Sequence, residues 1–144
     1  MPMIWVYLVV LIFSSYFLGE NNKAALDTLT QGETQAIAKN MLLYKNAVAA
    51  FVDANPSTTG AIPDSSLALP SWFRTIQGVT NYVESGHVYI YAAGRPALAS
   101  AIFSQTQALT VGINQSGRLV NPISGDTGII LPAVIPNLSV VTLR

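Results

Sequence analysis

One histidine and seven carboxylates are the residues of this 144-residue chain best suited to acid–base or metal chemistry. His87 stands alone, opening an expected strand beside the turn Glu84-Ser85-Gly86. A metal site would need carboxylates around it, and a nucleophilic triad would need a serine and an aspartate. Its sequence neighbours supply neither set, so His87 reads as a structural or surface residue. The carboxylates are Glu20, Asp27, Glu33, Asp53, Asp64, Glu84 and Asp126. No pair has a familiar catalytic spacing, although a distant pair can still meet in space, as in glycosidases. They read as solvated turn and helix-end residues. The glycines of Ser124-Gly125-Asp126-Thr127-Gly128 lack the Gly-Lys-Ser/Thr ending that grips phosphate and magnesium, so they mark a β-turn. Trp72 with Phe73, and Tyr82 with Tyr89 and Tyr91, could stack a ligand, but aromatic residues in strands more often pack on the sheet. The chain has no cysteine, which excludes disulfides, iron–sulfur clusters, thiolate zinc sites and a lipidated cysteine. No catalytic, cofactor-binding or metal-ligating residue is therefore assigned, and the expectation is a protein that is not an enzyme and carries no cofactor.

The elements that must position these residues begin with a hydrophobic run. Residues 3–18, MIWVYLVVLIFSSYFL, contain no charge. As a helix at ~1.5 Å per residue the run spans roughly 25 Å, slightly short of a ~30 Å hydrocarbon core. Ile4, Trp5, Val6, Leu8, Val9, Leu11, Phe13 and Phe17 are its expected lipid-facing anchor, with aromatic rings toward both ends. A cleaved signal peptide fits less well, because no Lys or Arg precedes the run and Tyr16-Phe17-Leu18-Gly19-Glu20 offers no small-x-small site. A buried soluble helix is the third alternative. The expected division is an anchor over 1–22 and one α+β domain over 23–144. Only the α-amine precedes the segment and Lys23 follows it, so charge gives a weak orientation signal, slightly against an exported C-terminus.

The composition is 51% hydrophobic and 10% charged, with seven basic residues balancing seven acidic ones. That leaves no electrostatic footprint for nucleic acid and no cluster for acidic lipid. Residues 24–54 carry helical periodicity. Leu26 and Leu29 lead into an apolar stripe at Ile37, Met41, Tyr44, Val48 and Phe51, spaced four, three, four, three. Gly32 is a potential break and Asn55-Pro56 the stop. A loop over 57–70 follows, then a helical turn at Ser71-Trp72-Phe73. A hairpin is expected from Val79–Val83 and His87–Tyr91, and a helix over 96–105 opened by Pro96. A second hairpin joins 108–113 to 118–121 through Asn114-Gln115-Ser116-Gly117, and strands at 129–131 and 139–143 complete the chain. The stripe is expected to pack on the face offered by strands 87–91 and 108–113. The fold class is α+β: a long amphipathic helix on a mainly antiparallel sheet.

Four stretches carry a family resemblance: QAIAKNMLLYKNAVAAFVDANP, LALPSWF, NYVESGHVYIYAAG, and LTVGINQSGRLVNP followed by LPAVIP. Behind an N-terminal membrane segment, they resemble the small PilM family of plasmid-encoded type IVb thin-pilus systems over essentially the whole chain. The larger actin-like ATPases of the same name differ: this chain has neither their length nor their phosphate loops. The resemblance implies a single-pass protein of the bacterial inner membrane with its C-terminal domain in the periplasm. It also implies a role in the basal body or in pilin transport during pilus assembly linked to conjugation, with other pilus assembly proteins as partners. The order of helix, hairpin and hydrophobic tail is also similar to the carboxyl domains of type IVb pilin-like proteins. A minor pilin is thus one alternative, although Gly19 and Glu20 follow the apolar helix where a prepilin site would precede it. A small anchored cell-wall hydrolase is the other.

Overall fold

The computed structural model of the protein describes residues 30–144. The apolar run, its anchor residues from Ile4 to Phe17 and the 22/23 boundary lie outside them. Among the described residues no helix is long and apolar enough to cross a membrane. Thr34–Arg144 form one compact unit, an α+β arrangement of two α-helices and a six-stranded antiparallel sheet.

Helix α1 runs over 30–54 without a break at Gly32. That glycine lies on an exposed turn of an otherwise good helix former, so its cost of about 1 kcal/mol is absorbed by the turns around it. The helix ends where expected. The Asn55 amide donates to Phe51 and Val52 carbonyls at 2.9 and 3.0 Å, its side chain donates to Phe51 as well, and Pro56 cannot continue the ladder. Ile37, Met41, Tyr44 and Val48 are buried, joined by Ala38, Ala49 and Val52. Phe51 is only half-buried, at the margin of the core. The buried arc is rotated toward Ala38, Ala49 and Val52, because small alanines let the helix approach the sheet closely on that side.

The strands are β1 (Val79–Glu84), β2 (His87–Ala93), β3 (Val111–Gln115), β4 (Arg118–Asn121), β5 (Gly125–Ile130) and β6 (Ser139–Leu143). Their order across the sheet is β1-β2-β6-β3-β4-β5. Helix α2 (Pro96–Thr106) joins β2 to β3 and packs on β3 and β6. Both tight hairpins use two-residue loops with positive φ at both positions, Ser85 and Gly86 (51° and 78°) and Ser116 and Gly117 (53° and 83°). This is the type I′ turn whose twist matches that of the strands. The second hairpin's first strand begins at Val111, not at Ala108. The 108–110 segment instead spans the gap from α2, and Thr110 accepts from the Leu143 amide at 3.0 Å.

Strands 87–91 and 108–113 were expected to share a face for α1 directly. In the structure β6 lies between β2 and β3, paired with both. Alternation along the strands then sorts the core. Val83, Val88, Ile90, Ala92, Val111 and Val140 join the helices. Tyr89, Leu119, Val141 and Leu143 face the other way, with Tyr82 and Tyr91 at the margin, partly covered by Leu131 and Ile135. Gly112 is required by packing: a Cβ there would lie 2.3 Å from the Val120 carbonyl oxygen.

Candidate functional site

The side chains considered for chemistry do not converge. His87 and Glu84 sit opposite each other at the exposed end of the first hairpin. Asp126 accepts from the Gly128 amide at 2.8 Å, which first, and its pairing with Arg118 at 3.0 Å second, hold its carboxyl below the usual range. The turn expected at Ser124–Gly128 comes earlier: residues 122–124 make it, and Asp126 already lies within β5. Asp53 pairs with Arg144 at 2.9 Å on the surface. Among the described residues no three His, Asp or Glu side chains gather where they could hold a metal ion.

Lys45 is the half-buried cation. Its ammonium reaches the Thr142 hydroxyl of β6 at 3.4 Å, and its pKa is lowered by desolvation and then by Arg144. Thr142 is wholly buried on the helix side of the central strand, so Lys45 packs its aliphatic stem on the core there.

The most constructed polar feature surrounds Asp64 and fastens the segment 57–78 across α1 and the outer edge of β1. Gly60 pairs with Val83 through both backbone bonds, at 2.8 and 2.9 Å, and so covers the edge of β1. Two residues on, Asn81 replaces backbone with side chain. Its Oδ1 accepts from the Ile62 amide and its Nδ2 donates to the Ile62 carbonyl, each at 2.7 Å. The same Nδ2 donates to the Tyr44 hydroxyl at 2.7 Å, and that hydroxyl donates to Asp64 Oδ1 at 2.6 Å. Thr75 donates to Asp64 Oδ2. Burial first, and the Asp64 bond second, push the Tyr44 hydroxyl up to about 12, the Asn81 bond opposing them. A tyrosine this hard to ionise is a structural donor, not a base.

Beyond Asp64, Phe73 is buried and its ring lies 6.1 Å from that of Tyr44 at 6° between planes. Asn40 on α1 donates to the Arg74 carbonyl at 3.0 Å. Immediately before these two anchor points the strap presents Trp72, which is 70% exposed. Trp72 and Phe73 were expected to pack together in the core. Only Phe73 does so, while the Trp72 ring lies tilted at 59° and 6.3 Å from it. Arg74 is exposed, and its Nη1 donates to the Ser71 and Phe73 carbonyls at 3.2 and 2.8 Å. Pattern reasoning on the sequence singled out Trp72 but not Arg74, because nothing local marks an arginine that bonds its own turn.

With that geometry in hand, the comparisons settle kinship. The PilM family model matches residues 8–143. The chain belongs to the PilM family. A PilM protein of Pseudomonas aeruginosa 2192 has a crystal structure 35% identical in sequence, covering 76% of this chain and 94% of its own, with a TM-score of 0.50. A PilM protein of Escherichia coli B7A, 23% identical, shares the fold at a TM-score of 0.61 over 80% of this chain and 94% of its own. No curated protein matches the chain.

Proposed function

We propose that this PilM-family chain is a structural component of a pilus assembly machine, held in the bacterial inner membrane by residues 1–22. Its domain from residue 23 onward faces the periplasm, and its task is binding within the basal body or pilin-transport apparatus of a type IVb thin pilus used in conjugation. The observation that carries this is the family match over residues 8–143, nearly the whole chain. Two features support binding over catalysis. The carboxylates at Asp53, Asp64 and Asp126 are each committed to a neighbouring element. The polar network around Asp64 fastens a surface strap to α1 and β1.

The test is deletion of the gene from a pilus operon. The expected result is loss of surface pili with prepilin processing intact, restored by the wild-type gene. Normal pilus number would sink the proposal. Fusion of alkaline phosphatase after Arg144 should give active enzyme, and activity only from a cytoplasmic reporter would reverse the orientation. A pilin-like role has one favouring observation, the long α1 laid on an antiparallel sheet. It predicts the protein in sheared fibres, whereas an assembly component stays in the membrane fraction.

A further inference from the structure

The strap combines three features that need not occur together. Trp72 is 70% exposed, so most of a large apolar ring is left in water. The run leading to it, Ala68 to Ser71, is exposed or half-buried and uncharged. Arg74, two residues on, uses Nη1 on its own turn, and its Nε and Nη2 have no carboxylate among the described residues. Tryptophan and arginine are the residues most enriched at the energetic centres of protein interfaces. Both are also held ready. Phe73 is stacked on Tyr44, the Arg74 carbonyl accepts from Asn40, and Thr75 is bonded to Asp64. A segment fixed beforehand loses little conformational freedom on binding.

We infer that the strap is a docking surface for another protein, in which Trp72 enters an apolar pocket and Arg74 pairs with a carboxylate on that pocket's rim. The guanidinium beside the ring, with no carboxylate on it among the described residues, specifies the acidic rim by charge complementarity. A bilayer fits the site less well. The protein has zero net charge and Arg74 is one cation, whereas stable surface attachment takes two signals such as an inserted chain plus a polybasic patch. The inference does not depend on the pilus reading: it concerns what the strap binds, and its readout is separate from pilus number.

The experiment places a photo-crosslinking amino acid at exposed Ser71 of the full-length protein in its native host. Crosslinking is done in otherwise wild-type, Trp72→Ala, Arg74→Glu and Arg74→Lys backgrounds. The expected result is an adduct with one other protein, joined at a peptide bearing Asp or Glu. Trp72→Ala and Arg74→Glu should each lower its yield about tenfold or more, while Arg74→Lys stays within about threefold. Replacing the mapped carboxylate by Lys should restore the adduct of Arg74→Glu. Unchanged melting temperatures of the variants separate lost docking from lost folding. The inference is overturned by no adduct, by an adduct with lipid or with a second copy of this chain, or by an adduct indifferent to the charge at position 74. Normal pili in the deletion strain together with a charge-dependent adduct would retire the pilus reading and leave this one standing.

Discussion

Asn81→Ala is the substitution that most directly probes how the strap is held. Asn81 is 4% exposed on the helix side of β1 and makes three bonds of 2.7 Å, two to the Ile62 peptide and one to the Tyr44 hydroxyl. Alanine removes all three and leaves the Ile62 amide and carbonyl without partners, at a residue that is itself 4% exposed. Tyr44 keeps its bond to Asp64, so its loss is the small one. Each buried group left unmade costs about 1–3 kcal/mol, so two of them give a total of about 2–6 kcal/mol. Tyr44→Phe deletes one hydroxyl and leaves Asn81 bonded to Ile62, at about 1 kcal/mol. The loss is also local. Release of Ile62 frees the strap before the sheet opens, and Arg74 within it is a trypsin site. Urea unfolding should show the global difference, and the rate of tryptic cleavage after Arg74 under native conditions should rise more than the unfolding free energy falls. If Asn81→Ala costs under about 1 kcal/mol and leaves cleavage at Arg74 unchanged, the side chain is not the strap's anchor and the reasoning fails.

Three further outcomes follow from the same packing. Val48 is wholly buried beneath α1, so Val48→Asp places an uncompensated charge in the core. It should cost on the order of 4 kcal/mol or more, a large part of a small domain's stability. A folded Val48→Asp protein by circular dichroism would mean that this face of α1 can open. Gly112→Ala drives a Cβ to 2.3 Å from a backbone oxygen of β4 that cannot rotate away, and should cost about 2–4 kcal/mol in urea titration. A neutral Gly112→Ala would show that β3 and β4 separate easily. Tyr44 titrates at about 12 in the folded state against about 10 unfolded. Between those values the unfolded chain has lost the proton that the folded chain retains. Stability is therefore complete below pH ~10 and falls by about 2–3 kcal/mol as pH approaches ~12. Lys45, whose pKa is lowered, acts oppositely. The unfolded chain holds more protons below ~10.4, so its penalty is relieved as pH rises. Burial, and Glu84 after it, also raise Tyr89, so tyrosinate absorbance should show late titration of which Tyr44→Phe removes one component, and no loss in that variant would contradict the buried assignment.

The legible parts of this fold are those written in local chemistry. Asn55-Pro56 stops α1, Pro96 opens α2, and Ser85-Gly86 and Ser116-Gly117 close their hairpins, because each requires a backbone geometry that few residues supply. What stayed hidden depends on tertiary placement. The run Ser139–Leu143 is buried at every position and shows no alternation. Nothing local says that the last strand enters the middle of the sheet. Phe51 loses the deep position to Val52 because alanines set how α1 rolls, and alanines carry little weight in an apolar pattern.

The strap was the least legible element and the most consequential. Read locally, 57–78 is punctuation: glycines, prolines and short polar residues with no period. Its order comes from partners far away in sequence, Tyr44 on α1 and Asn81 on β1, each polar where the pattern predicts an apolar or solvent-facing side chain. A buried asparagine that bonds both backbone groups of one residue excludes other registers of the segment, since shifting it by one residue would leave the Asn81 amide unpaired in the core. Register fixes which residues face out. With Ile62 and Phe73 buried and the Phe73 amide closing a turn on the Pro70 carbonyl, Trp72 and Arg74 are left on the outside, and the side chains that hold the strap thereby determine what it presents.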